Sequence, residues 1–132
     1  MPELKKKVSS HMSDIPLVTI GITCFNAEDT IARAIEGALS QDYPLVEVVV
    51  VDDGSSDASP GIVRDMASRD DRIRFIEHDK NKGFPSALNT MLKESHGDFI
   101  AIFDDDDESH TDRISAQVST ITSYEEKTGQ KL

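Results

Sequence analysis

The chain has 132 residues, 37% of them hydrophobic and 30% charged, with a formal net charge of −11. That length fits one domain with a real core, while the charge argues against nucleic-acid binding through a general basic surface. The single cysteine, Cys24, excludes an internal disulfide and fits a cytoplasmic setting; the sequence shows neither a signal-peptide pattern nor an apolar run long enough to cross a bilayer.

Residues 1–13 are polar, lysine-bearing and without apolar periodicity, and Ser10-His11-Met12 resembles a cloning-site remnant. They are set apart as a leader or disordered arm, leaving residues 14–132 as the domain. Four apolar, β-branched runs follow: Leu17 to Ile22, Val46 to Val51, Ile73 to Ile76, and Phe99 to Phe103. The second and fourth are nearly continuous, as in parallel strands covered on both faces.

Helical patterns lie between these runs. Ile31, Ala34, Ile35, Ala38 and Leu39 recur at helical spacing, with Asn26 as expected N-cap and Glu28 and Asp29 in the first turn. A second helix is expected from near Asp57, with Pro60 early in it and Ser55 or Ser56 available as caps. A third carries Ala87, Leu88, Met91 and Leu92, and a fourth, from about Thr111, carries Ile114, Val118 and Ile121. The order βαβαβαβα predicts an α/β fold, a Rossmann-like three-layer α/β/α sandwich around a mainly parallel sheet.

In open α/β sheets, ligands sit beyond the carboxyl ends of the strands. Here those ends carry Thr23-Cys24-Phe25-Asn26, Asp52-Asp53-Gly54-Ser55-Ser56-Asp57, His78-Asp79, and the run Asp104-Asp105-Asp106-Asp107-Glu108. Two carboxylates about 5 Å apart repel by roughly 3 kcal/mol at an effective dielectric near 20. Solvent, protonation or a divalent cation must relieve such a run, and hard oxygen ligands suit Mg²⁺ or Mn²⁺ shared with substrate phosphates. The segment Asn81 to Asn89 is a glycine turn entering a helix, with amides free to meet a phosphate or simply to be capped. His78, His96 and His110 show no metal-ligand spacing and read as surface residues.

Together, the first-strand segment through Asp57, the NKGFPSALNTML segment and HGDFIAIFDDDDESHTDRI resemble the nucleotide-sugar-binding part of a family 2 glycosyltransferase of GT-A fold. The resemblance covers about residues 16–121. It implies that Thr23, Phe25, Asn26 and Glu28 line the nucleotide site, and that Asp52 and Asp53 form the acidic pair contacting base or ribose. Gly83 and Asn89 join the nucleotide-sugar-binding set, as do Asp104 and Asp105. Asp104 and Asp106 correspond to the acids of the family's DxD motif, which implies Mn²⁺ or Mg²⁺ on the donor diphosphate, with Asp107 beside them.

The implied activity is sugar transfer, inverting in outcome, from a nucleotide-diphospho-sugar (a UDP-sugar first) to a saccharide or lipid-linked acceptor in bacterial polysaccharide or glycan synthesis. The protein is expected in the cytoplasm, or at the cytoplasmic face of a membrane. Three departures stand out: Thr23 where relatives usually have proline, Phe25 in place of tyrosine, and Leu88 where many carry arginine. No residue fits the catalytic base. That carboxylate is expected beyond Leu132, so the domain reads as truncated and better able to bind donor than to transfer sugar. The competing fold-level reading is a phospho-receiver-like Mg²⁺-binding signalling domain, and the bland reading of the acidic run is a solvated or calcium-binding loop.

Overall fold

The computed structural model describes residues 15–106 and 109–128. The leader assigned to residues 1–13, together with Asp107 and Glu108, lies outside the described residues. The elements follow the expected alternation: β1 (Val18–Cys24), α1 (Ile31–Leu39), β2 (Val46–Asp52), α2 (Ser59–Arg69), β3 (Ile73–Glu77), α3 (Phe84–Glu94), β4 (Phe99–Phe103) and α4 (Arg113–Thr128).

The strands pair in parallel in the order β3-β2-β1-β4. This is the Rossmann order around the first strand, and it differs from the receiver order, in which β3 lies beside β1. Here β3 pairs with β2, so the topology overturns the receiver alternative.

Because side chains alternate across a strand, β1 turns Val18, Ile20, Ile22 and Cys24 to one face. There they meet Ile31, Ala34, Ile35 and Ala38 of α1, Val63 of α2, and Ile114 of α4. The other face packs Val49 and Val51 against Ala87 and Met91 of α3. Gly21 makes that second layer possible: a Cβ built there would stand 2.1 Å from the Met91 sulfur. The continuous apolar character of β2 matches its burial on both faces. β4 differs from expectation. Among the described residues it pairs with β1 alone, and Ile102 remains 36% exposed despite an equally apolar sequence.

Two capping expectations also fail. Helix α1 starts only at Ile31, after Thr30, and Glu28 and Asp29 precede its first turn. Asn26 is not its cap: it adopts φ 48°, which Asn tolerates better than most side chains, and its Oδ1 accepts the Ser56 amide at 2.8 Å. Helix α2 starts at Ser59, with Pro60 in its first turn as expected. Ser55 and Ser56 serve the preceding loop instead, while the Asp57 carboxylate accepts the Ser59 amide at 2.9 Å. Among the described residues, no helix is long and apolar enough to cross a membrane.

Candidate functional site

Parallel register brings the strand ends level. Cys24 lies opposite Asp52, and Asp52 opposite Glu77, so the loops after three adjacent strands leave the sheet together. A cleft of about 330 Å³ opens at this edge, lined by Thr23, Cys24, Phe25, Asp53, Asn81, Gly83, Phe84, Ala87 and Asp105. Five of the residues expected at a nucleotide site therefore meet there: Thr23, Phe25, Asp53, Gly83 and Asp105.

The remaining expected residues have other positions. Asp52 is 1% exposed, and its carboxylate accepts the Ser55 amide at 2.9 Å and the Ser55 hydroxyl at 2.6 Å. It closes the turn at Gly54, whose φ of 78° and close approach to the Asn81 backbone leave no room for a side chain. Asn26 and Glu28 latch the first-strand loop to the second. The Asn26 amide donates to Ser55 Oγ at 2.8 Å, and Glu28 Oε1 accepts the Ala58 amide at 2.9 Å. Both side chains are thus committed to shaping the rim and are not among the cleft-lining groups. Asn89 is exposed on α3, also apart from the lining.

The acidic pair is thereby divided. Asp53 faces the cleft yet remains nearly buried. Burial pushes its carboxyl up, but the Lys82 amide, the His78 ring and the Gly83 amide outweigh that, so it titrates below the usual carboxylate range. The two amide contacts measure 2.9 and 3.0 Å, and Gly83 holds φ 93° to bring its N–H into position at the start of α3. His78 overturns its reading as a surface residue. Its side chain is 7% exposed, with Nδ1 2.9 Å from Asp53 Oδ1 and Nε2 2.9 Å from Thr90 Oγ1.

Across the cleft, Asp105 behaves in the opposite way. Burial and the neighbouring Asp106 and Asp104 charges push its carboxyl up, against the Phe25 amide at 3.2 Å and its own backbone amide. Its carbonyl accepts the Thr30 hydroxyl at 2.9 Å, which ties the acidic turn to the start of α1. Asp104 and Asp106 are exposed on the same turn. The turn is further anchored by Arg113, which lies 4.1 Å over the Phe103 ring and donates to the Ile102 carbonyl at 3.1 Å.

Among the described residues, no three His, Cys, Asp or Glu groups converge as a complete protein-made metal site. Exposed carboxylates on one turn do fit the open kind of site, in which one or two acids share a hard cation with substrate phosphates. Cys24 lines the cleft floor but is fully buried, and burial together with the Asp52 charge pushes its thiol up to about 12. It stays neutral, which rules out a thiolate nucleophile at neutral pH.

Sequence reasoning missed His78, Thr90, Asn81 and Phe84. Strand order would have found His78, since the register that pairs Asp52 with Glu77 sets His78 beside Asp53. Phe84 is 55% exposed and Phe25 47% exposed, so two aromatic rings stand open at one cleft.

Known proteins agree with this architecture. The sequence profile described as Glycosyl transferase family 2 matches residues 19–127. Similar curated proteins include the succinoglycan biosynthesis protein ExoO of Rhizobium meliloti, 43% identical over 79% of this chain and 29% of its own length. Another is the UDP-Glc:α-D-GlcNAc-diphosphoundecaprenol β-1,3-glucosyltransferase WfaP of Escherichia coli, 39% identical over 77% of this chain and 40% of its own. Among solved structures, S. aureus TarS in complex with UDP superposes with a TM-score of 0.73 and 26% identity, over 81% of this chain and 32% of that one. A Pyrobaculum calidifontis mannosyltransferase in complex with GDP-Man and Mn²⁺ gives 0.66 and 32%, over 76% and 30%. The chain thus spans well under half the length of these relatives. It belongs to glycosyl transferase family 2, and its fold is that of the GT-A enzymes.

Proposed function

We propose that the cleft binds the nucleotide of a nucleotide-diphospho-sugar, a UDP-sugar in the first instance, and that the protein transfers the sugar to a saccharide or lipid-linked acceptor in polysaccharide synthesis. The observation that carries this reading is the meeting of Asp53, Asp105 and two exposed aromatic rings at the carboxyl edge of the sheet. Phe25 and Phe84 offer apolar faces on which a base can stack. Asp53, ionised and acceptor-only, suits a base N–H such as that of uracil.

Asp104 and Asp106 would hold Mn²⁺ or Mg²⁺ against the donor diphosphate. A cation there would supply neutralising charge as the nucleoside diphosphate departs. Asp105 forms the cleft wall between these acids and the first-strand loop, with its carboxylate oriented by the Phe25 amide. No described residue of the cleft is assigned as the base that deprotonates the acceptor. Support comes from relatives in polysaccharide assembly and from structural neighbours that hold UDP in one case and GDP-Man with Mn²⁺ in another. A cytoplasmic setting, where a lone thiol stays reduced, belongs to the same proposal.

Isothermal titration of UDP, UDP-sugars and GDP-sugars, with and without Mn²⁺, is the test. Metal-enhanced binding of at least one nucleotide is expected. A folded sample that binds none of them in either condition would sink the reading.

A further inference from the structure

An ionised carboxylate accepts hydrogen bonds and donates none, with about two acceptor sites on each oxygen. At Asp53, Oδ1 meets both the His78 ring and the Lys82 amide, while Oδ2 meets the Gly83 amide. Oδ1 is therefore filled and Oδ2 keeps one site, on a residue that lines the cleft. The two loop amides alone would hold the carboxylate by one contact per oxygen. The His78 contact adds a donor on one oxygen only, and so distinguishes the two.

The chemistry of the pair fixes the tautomer. Asp53 has no proton to give, so Nδ1 must carry the ring hydrogen. The ring is held at its far side as well: Nε2 lies 2.9 Å from Thr90 Oγ1, which is itself 3.2 Å from the Ser86 carbonyl. Both side chains of the His78–Asp53 pair are 7% exposed, which limits replacement of the donor by water. The series Ser86, Thr90, His78, Asp53 thus runs from half-buried positions on α3 to the cleft. His78 is not itself among the cleft-lining residues and reaches the cleft through Asp53.

We infer that His78 is a positioning residue for the nucleotide site: it orients Asp53 so that one Oδ2 acceptor site is kept for a ligand N–H, and Thr90 fixes the ring that does so. This rests on the nucleotide reading above. The ligand class it selects is a base presenting an N–H donor at that oxygen.

The test compares the 132-residue chain with its His78→Leu, His78→Asn and Thr90→Val variants, each checked for folding by circular dichroism and titrated with UDP in the presence of Mn²⁺. Asparagine places an amide nitrogen at the same bond separation from the backbone as Nδ1, so it restores the donor without the ring. Losing a hydrogen bond to a charged acceptor predicts UDP binding weaker by on the order of tenfold in His78→Leu. Recovery to within about threefold of wild type is expected for His78→Asn. If His78→Leu does not fold, Thr90→Val carries the test, with a smaller loss in the same direction.

A folded His78→Leu chain that binds UDP as the wild type does would overturn the inference. So would a folded Asn variant as weak as the Leu one, because the ring would then act through packing alone. Long-range ¹H–¹⁵N spectra of the nucleotide-free chain give an independent readout. An unprotonated Nδ1 overturns the inference whether or not nucleotide binds. If Nδ1 is protonated and the wild type binds no nucleotide, the nucleotide reading falls, and the positioning role falls with it.

Discussion

Replacing Asp53 with asparagine changes one oxygen for an amide group and removes a charge, yet the structure gives it a large effect. Three N–H groups point at this carboxylate, two on Oδ1 and one on Oδ2. An asparagine that keeps its oxygen at the Oδ1 position turns its NH₂ toward the Gly83 amide, donor against donor. The flipped rotamer sets NH₂ against both the His78 ring and the Lys82 amide, which is worse. The better rotamer leaves one nearly buried N–H without a partner, at about 1–3 kcal/mol, and weakens two charge-assisted bonds to neutral ones. The sum is about 2–4 kcal/mol, or roughly 10 °C in melting temperature for a domain of this size.

The pH dependence supplies a second signature. The folded Asp53 carboxyl lies below its ordinary value. Its contribution is therefore fully present above the unfolded value of about 3.9 and is lost as pH falls through the lower folded value. The part of the stability gap between wild type and Asp53→Asn that comes from this carboxylate should shrink as pH falls from about 5 into stronger acid. Urea unfolding followed by circular dichroism across that range measures it. A variant melting within about 1 °C of wild type at pH 7 would refute the three-donor account, given the magnitude worked above.

Three further outcomes follow from the same geometry. Gly21→Ala drives a methyl into the Met91 sulfur and should cost about 1–3 kcal/mol in urea unfolding, partly recovered in the Gly21→Ala, Met91→Ala double variant. Asp104→Asn with Asp106→Asn removes the two exposed carboxylates proposed to hold the cation, so Mn²⁺ should no longer strengthen UDP binding in calorimetry of the folded variant. Cys24, buried with its thiol pushed up to about 12, should resist a thiol-specific disulfide reagent at pH 8 in the folded chain and react at once in urea.

The order of elements was legible because each carries its own periodicity: alternating or continuous apolar runs for strands, and the spacing of Ile31, Ala34, Ile35 and Ala38 for α1. The cap assignments went astray for a shared reason. Asn26, Ser55 and Ser56 are good local cappers and Glu28 suits a first helical turn, but each is used across the gap between the first- and second-strand loops. Local propensity carries no information about a partner some thirty residues away. The same limit hid His78, whose role depends on β3 lying beside β2. It also hid the division of labour in Asp52-Asp53: adjacent residues at a strand end point to opposite sides, and only the packing of α3 decides which side becomes the cleft.

The cleft brings together two carboxylates in opposite electrostatic states, and this bears directly on what it can hold. Asp53 has its donors supplied by the protein and titrates low; it is finished as an anion and has one acceptor site left. Asp105 has a long contact to the Phe25 amide and its own backbone amide, stands beside Asp104 and Asp106, and titrates above the usual carboxylate value. An anionic diphosphate brought to the Asp105 side meets like charge, a repulsion of roughly 3 kcal/mol per pair near 5 Å at an effective dielectric of 20. The loop amides at Lys82 and Gly83, which could otherwise have met a phosphate, are already spent on Asp53. The Asp53 side therefore suits the uncharged, donor-bearing end of a ligand, and the proposed cation at the acidic turn would offset the charge of the other end. On the proposed function, that polarity orients a nucleotide with its base toward Asp53 and its phosphates toward Asp104 and Asp106.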